Sequence, residues 1–239
     1  MTAPDPEVIR GRQLLRPRSS TPVLLRRQLR PDNGTAALSR YGDDVWRLDQ
    51  GIFEENAKSI TVNFTSLPSP WRDTAKRYLW VLINAEPPAQ LRRMRPARLS
   101  LQGIRMLWFP LRKFFQWLHA HRVTSLSAVS PDLLDGYLAF LTGSGDPLTQ
   151  VYSCIGEVRR LWGYRMVLPE AMRLPETPPW DGDCTGVLLG KVRPSAENRT
   201  PRIDEHTMQP LLLWALRFVE EFADDIITAQ HERVCCTIR

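Results

Sequence analysis

The stretch that decides the fold is Leu111–Leu126, LRKFFQWLHAHRVTSL. Its apolar residues recur at the spacing of one helix face: Leu111, Phe114, Phe115 and Leu118. The same periodicity extends over 99–122 and predicts an amphipathic helix there. Pro110 lies inside the pattern, so we expect a kink or a break near Phe109.

Two more helices are predicted downstream. Ser130-Pro131 combines a capping residue with a proline at the first helical position, and this helix should stop near Gly143. The next should run from about Pro147 to Tyr164 on an apolar stripe of Val151, Cys154, Ile155, Val158, Leu161 and Trp162. At 100° per residue the opposite face holds Thr149, Tyr152, Ser153, Gly156, Arg159 and Arg160. We expect that face to be exposed, so replacing its two arginines should leave the packing undisturbed.

Upstream, the pattern predicts a small β element and one helix. Ser59–Phe64 alternates apolar and polar residues, and Val45–Asp49 is a weaker candidate to pair with it. Ser69-Pro70 should start a helix that ends before Pro87. Residues 1–40 carry eight arginines among Pro, Ser and Thr, which fits either a basic arm on phosphates or a leader without fixed structure. The predicted fold class is therefore mainly α, with a small β element near the N-terminus.

The C-terminal third is predicted to be a linker and a helix. Residues 169–203 are rich in proline and have no periodicity, which favours an inter-domain linker. A long helix should begin near Asp204, and the pattern dissolves before Arg239, so we expect the chain to be cut off there. The predicted division is thus 1–86 (N-terminal region), 87–168 (helical domain), 169–203 (linker) and 204–239 (long helix).

The charge is distributed unevenly. The chain has 239 residues, 32 of them Lys or Arg and 26 Asp or Glu, and its isoelectric point is near 9.4. A GC-rich genome would favour arginine codons in any protein. However, the window from Pro87 to Pro131 holds eight basic residues and no acidic ones, whereas 200–239 has seven acidic and four basic residues. Codon bias does not segregate charge in this way, so we expect a polyanion-binding face.

Other classes of protein find little support. No apolar run approaches the ~18 residues of a membrane span, and the first ten residues lack the apolar core of a secretory signal. We therefore expect a cytoplasmic protein with no membrane partner. The four cysteines form no CxxC pair, and the histidines offer no ligand spacing, so neither a metal nor another cofactor is expected. The phosphate-binding and hydrolase motifs of common enzymes are absent from the sequence.

Three stretches in order carry a family resemblance: Leu111–Leu126, then Val129–Leu141, then Ile155–Trp162. Together they resemble the core-binding (SAM-like) domain of tyrosine recombinases, the phage-integrase family. The resemblance covers roughly Leu99–Leu168. It implies a SAM-like helical bundle over 87–168 that binds double-stranded DNA, with other integrase protomers as further partners.

The chain also departs from this family. Its members cleave DNA with a tyrosine nucleophile, assisted by two arginines, a lysine and a histidine or tryptophan, all in a C-terminal domain. Here the last tyrosine is Tyr164, before the predicted linker. The resemblance therefore implies the DNA-binding portion of a site-specific recombinase or integrase, which is not an enzyme as it stands and has no catalytic residues.

The candidate DNA contacts come from two predicted helices. One lies in the window without acidic residues, and the other is the helix from about Pro147 to Tyr164 with the polar face. They are Arg112, Lys113 and Gln116 from the first, with Thr149, Tyr152, Ser153, Arg159 and Arg160 from the second. Such side chains suit phosphates and base edges. The alternative is a helical protein–protein interaction module with no nucleic-acid role, in which the acidic last helix docks a basic partner.

Overall fold

A two-stranded antiparallel sheet lies near the N-terminus of the computed structural model, which describes residues 16–31, 38–54, 58–88, 91, 98–190 and 203–237. Strand β1 (Val45–Arg47) pairs with β2 (Thr61–Asn63), and Trp46 lies opposite Val62. Both of these side chains are buried while their neighbours in the strands are exposed. The predicted small β element is confirmed.

Four long helices form the body of the first part of the chain. They are α1 (Ser69–Asn84), α2 (Leu101–Ala120), α3 (Pro131–Gly143) and α4 (Leu148–Gly163). Local caps fix two of their starts, since the hydroxyls of Ser100 and Ser130 accept hydrogen bonds from backbone N–H groups three residues on. Helix α2 is unbroken through Pro110, so the break predicted there is absent. Pro110 is buried within the helix.

One apolar core joins the sheet to the helices. Trp46 packs edge-on against Phe64 with ring centroids 4.7 Å apart, Trp71 of α1 stacks on Phe115 of α2 at 5.0 Å, and Phe114 contacts Tyr137 of α3. The chain divides into two compact units, Met1–Lys191 and Val192–Arg239. The region before residue 87 therefore shares its core with the helices that follow, and the predicted boundary at 86/87 does not separate two units.

The described part of the predicted linker, 169–190, belongs to the first unit. It contains the 3₁₀ turns Glu170–Met172 and Pro179–Gly182 and the short helix α5 (Thr185–Leu188). Leu174 and Trp180 are buried, and the indole N–H of Trp180 donates to the carbonyl of Leu134 in α3. The expectation of a linker is corrected for these residues, because their apolar side chains pack against α3 and α4 without any helical or strand periodicity.

The described residues of the N-terminal basic region are also packed. Val23 and Leu24 are buried, and Pro22 forms an isolated β-bridge with Arg40. The guanidinium of Arg27 donates to the backbone carbonyls of Ile83 in α1 and of Leu99, which precedes α2. Residues 1–15 and 32–37 of the predicted arm lie outside the described residues.

The second unit contains two helices, α6 (Glu205–Glu220) and α7 (Ala223–Thr237), where one long helix was predicted. The break falls at Glu221-Phe222, which includes no glycine or proline to signal it. Many apolar side chains of this unit are exposed: Met208, Leu211, Leu212, Leu213, Trp214, Leu216, Phe218, Val219, Ile226 and Ile227.

Candidate nucleic-acid interface

Most of the predicted contact residues lie along the seam between α2 and α4, which we call the α2/α4 groove. One hollow of this groove is lined by Met106 and Pro110 together with Tyr152, Ser153, Gly156 and Arg160. A second hollow is lined by Arg112, Lys113 and Gln116 together with Phe140 and Asp146. Thr149 is exposed one turn before Ser153. The hydroxyl of Ser153 donates to the backbone carbonyl of Thr149 at 2.9 Å. The structure therefore places six of the eight predicted residues beside one or the other of these two hollows, whereas Thr149 and Arg159 line neither.

Lys113 is committed to an ion pair within the protein. Its ammonium bonds the carboxylate of Asp146, just before α4, and lies 5.1 Å from the ring centroid of Phe140. The hydrogen bond from Lys113 lowers the pKa of Asp146, with a further contribution from the Ser144 hydroxyl. The positive charge of Lys113 is thus largely neutralised at this seam.

Arg112 and Gln116 have a different environment. The guanidinium of Arg112 lies 5.9 Å from the ring centroid of Phe109, and in the described part of the chain it forms no ion pair. Gln116 is exposed, and its amide donates to the carbonyl of Ser66 at 3.2 Å. These two side chains, one turn apart on α2, are the groove's clearest donors toward an outside ligand.

Arg160 belongs to a buried polar network. Glu157, one turn before Arg160 in α4, is only 2% exposed. Its carboxylate accepts one hydrogen bond from the hydroxyl of Tyr78 in α1, at 2.8 Å, and another from the guanidinium of Arg160. Burial, and then the charge of Glu157, raise the pKa of Tyr78 well above its usual value, so this hydroxyl stays protonated and donates. The expectation that Arg160 is a free surface cation is corrected, although its side chain does line the groove.

Arg159 lies on another side of α4. Its guanidinium donates to the hydroxyl of Thr185 at 2.9 Å and is 5.7 Å from the ring centroid of Trp180. Burial lowers its pKa, and among the described residues its Nε and Nη2 find no hydrogen-bond partner. The prediction of an exposed Arg159 is wrong because residues 180–185 cover this side of α4, which the periodicity of α4 alone does not reveal.

Sequence reasoning missed Asp146, the partner of Lys113, and Tyr78, which bonds the same carboxylate as Arg160. Asp146 precedes a proline at a helix start and reads as an ordinary loop residue, while Tyr78 reads only as part of the apolar face of α1. Both lie far along the chain from the side chains that they contact. No local pattern marks such pairs.

Within the described residues, no helix is long and apolar enough to cross a membrane, and no group of three or more His, Cys, Asp or Glu side chains could hold a metal ion. Comparisons with protein-family models, with curated proteins and with solved structures found no match for this chain. The fold itself is mainly helical with a small sheet near the N-terminus.

Proposed function

We propose that this chain is the DNA-binding portion of a site-specific tyrosine recombinase or integrase that acts in DNA integration and recombination, with its SAM-like helices at 87–168. Its partners are double-stranded DNA and other integrase protomers in the cytoplasm, and it needs no metal or cofactor. The observation that carries the proposal is the α2/α4 groove. Two helices that the family resemblance assigns to DNA binding line its hollows with polar side chains, α4 in the first hollow and α2 in the second.

The groove favours a few directed contacts over a strong positive field. Lys113 and Arg160 are paired with acidic side chains, so their charges contribute little beyond the groove. Arg112 supplies a guanidinium fork that suits a phosphate or a guanine edge. Gln116, Thr149 and Ser153 are exposed and supply polar groups of the kind that fix a protein's register on the duplex.

The first test is the salt dependence of duplex binding. Each phosphate that the protein neutralises contributes about 0.9 to the slope of log K against log salt. If Arg112 contacts a phosphate, Arg112→Ala should weaken binding to all sequences and reduce that slope by about 1. Fluorescence anisotropy of a labelled duplex between 50 and 200 mM salt measures both quantities.

The matched control is Arg40→Ala. Arg40 is exposed and lines neither hollow of the α2/α4 groove. Arg40→Ala removes the same charge from the chain as Arg112→Ala and should leave the slope of log K against log salt unchanged. Equal losses in the two variants, or no duplex binding by the parent at 50 mM salt, would contradict the proposed interface.

The second test concerns catalysis. We expect no covalent protein–DNA adduct on nicked or intact duplex substrates. Tyr78, Tyr137 and Tyr164 are buried, and the sequence has no tyrosine after residue 164. Denaturing electrophoresis followed by mass spectrometry checks the result. A 3′-phosphotyrosyl adduct on any tyrosine of this chain would show that it does carry chemistry.

A second candidate function is a helical protein-interaction module. The observation in its favour is the second unit, whose α6 exposes Leu213, Trp214 and Val219 at more than half of each side chain's surface. Exposed apolar patches of this extent are typical of interaction surfaces. This candidate predicts that duplex DNA is not retained even at low salt, whereas the proposed function predicts salt-dependent retention.

A further inference from the structure

A separate cleft lies where the segment after β1 meets the start of α2. Its volume is about 760 Å³, and none of the residues of the α2/α4 groove lines it. The described lining includes three cations, Arg27, Lys58 and Arg105, and one acid, Glu54. We call it the Arg27 cleft.

Arg27 is held in a fixed orientation at this cleft. Its Nε donates to the carbonyl of Ile83 at 2.7 Å, and its Nη2 donates to the carbonyl of Leu99. Both partners are neutral, so neither cancels the positive charge of the guanidinium. Burial, and then repulsion from Arg98, lower the pKa of Arg27, and attraction to Glu86 opposes this only in part. An anion at the cleft would relieve that repulsion.

Arg105 and Lys58 add two exposed cations. Arg105 lies in the second turn of α2, and neither it nor Lys58 forms an ion pair with any residue that the structure describes. The first turn of α2 also leaves backbone N–H groups without helical acceptors, which adds to the positive potential. The three side-chain cations nevertheless carry the argument, since they come from separate parts of the chain and converge on one cavity.

An apolar wall adjoins the cations. Phe53 is 47% exposed, whereas its neighbour Ile52 and Leu101 of α2 are buried beside it. An exposed aromatic ring next to cations can stack a nucleobase whose phosphate the cations bind. The cleft is therefore large enough for a nucleotide, and it offers both cations for the phosphate and an aromatic ring for the base.

We propose that the Arg27 cleft binds a phosphate group through Arg27 and Arg105, with Phe53 contacting the attached base. The phosphate comes either from a free nucleotide, whose base can contact Phe53, or from the DNA backbone, whose bases are paired and leave only the phosphate contact. The site is distinct from the α2/α4 groove, so it does not depend on that groove's role in DNA binding.

The experiment is isothermal titration calorimetry of the full chain with three probes: inorganic pyrophosphate, adenosine triphosphate and a short DNA duplex. We expect Arg105→Glu to weaken the binding of whichever phosphate source the parent binds by about tenfold or more, since one charge reversal at contact distance exceeds 1.4 kcal/mol. Arg40→Glu, a charge reversal outside the cleft, should leave binding almost unchanged. Phe53→Ala should weaken the nucleotide and spare pyrophosphate.

The outcomes separate the sources and the two proposals. Binding of pyrophosphate and nucleotide that Arg105→Glu weakens assigns the cleft to free phosphates, even if the duplex does not bind and the proposed function fails. If Arg105→Glu weakens the binding of the duplex alone, the cleft is assigned to backbone phosphate. Lys58→Glu repeats the test at an independent exposed position in case Arg105→Glu fails to fold. No binding of any probe by the parent, or equal losses in Arg105→Glu and Arg40→Glu, overturns the proposal.

Discussion

Arg160→Ala should lower the free energy of unfolding of the first unit by about 3 kcal/mol. Glu157 is almost fully buried, and Arg160 is the cation that neutralises its carboxylate. Removing the guanidinium takes away the positive charge that lies against this desolvated carboxylate. Urea denaturation followed by circular dichroism measures the change. This result would reverse the expectation from helix periodicity, under which the substitution is harmless.

The control for Arg160→Ala is a double-mutant cycle with Glu157→Gln. Glutamine keeps the shape of the side chain but removes the charge that Arg160 balances. The double variant should therefore recover much of the stability that Arg160→Ala loses. If Arg160→Ala is as stable as the parent, or if the two changes simply add, the ion pair does not stabilise the bundle.

Trp180→Ala should destabilise the first unit by about 3–5 kcal/mol, the usual cost of truncating a buried aromatic side chain. The indole is 8% exposed, donates to the carbonyl of Leu134 and lies against Arg159. A tryptophan in a flexible linker would give a change within about 0.5 kcal/mol. Urea denaturation thus decides directly between a packed segment and a linker.

Trp214→Ala is the matched control for Trp180→Ala. It makes the same substitution at a side chain that is 54% exposed in α6 of the second unit. The unfolding transition of the first unit should not move. A first unit that tolerates Trp180→Ala equally well would show that residues 169–190 do not stabilise it.

The helix starts could be read from the sequence because their chemistry is local. Ser130-Pro131 places a cap and a proline next to each other, and the structure starts α3 at that proline. The apolar stripe of α4 is also predictable from the sequence, and its residues Val151, Ile155 and Val158 are all buried. Short-range spacing is enough to predict such features.

The environments of Arg159 and Arg160 could not be read in the same way. Thr185, which accepts from Arg159, is 26 positions away along the chain. Glu157 lies only three positions before Arg160, but its contact with Tyr78, 79 positions away, does not show in the spacing of α4. The segment around Trp180 was mistaken for a linker for the same reason. Proline-rich sequence without periodicity looks alike whether it is solvated or packed against a helix.

The uneven placement of tryptophan gives the two units separate optical signals. Seven of the eight tryptophans lie before residue 192, and Trp46, Trp71 and Trp80 are almost completely shielded from water. The remaining one, Trp214, is largely in contact with solvent. Indole emission shifts to the red on hydration, and an aqueous collisional quencher reaches hydrated rings first. The quenchable red-edge fluorescence of the native chain therefore has Trp214 as its main reporter, while the blue-edge emission follows the interior of the first unit.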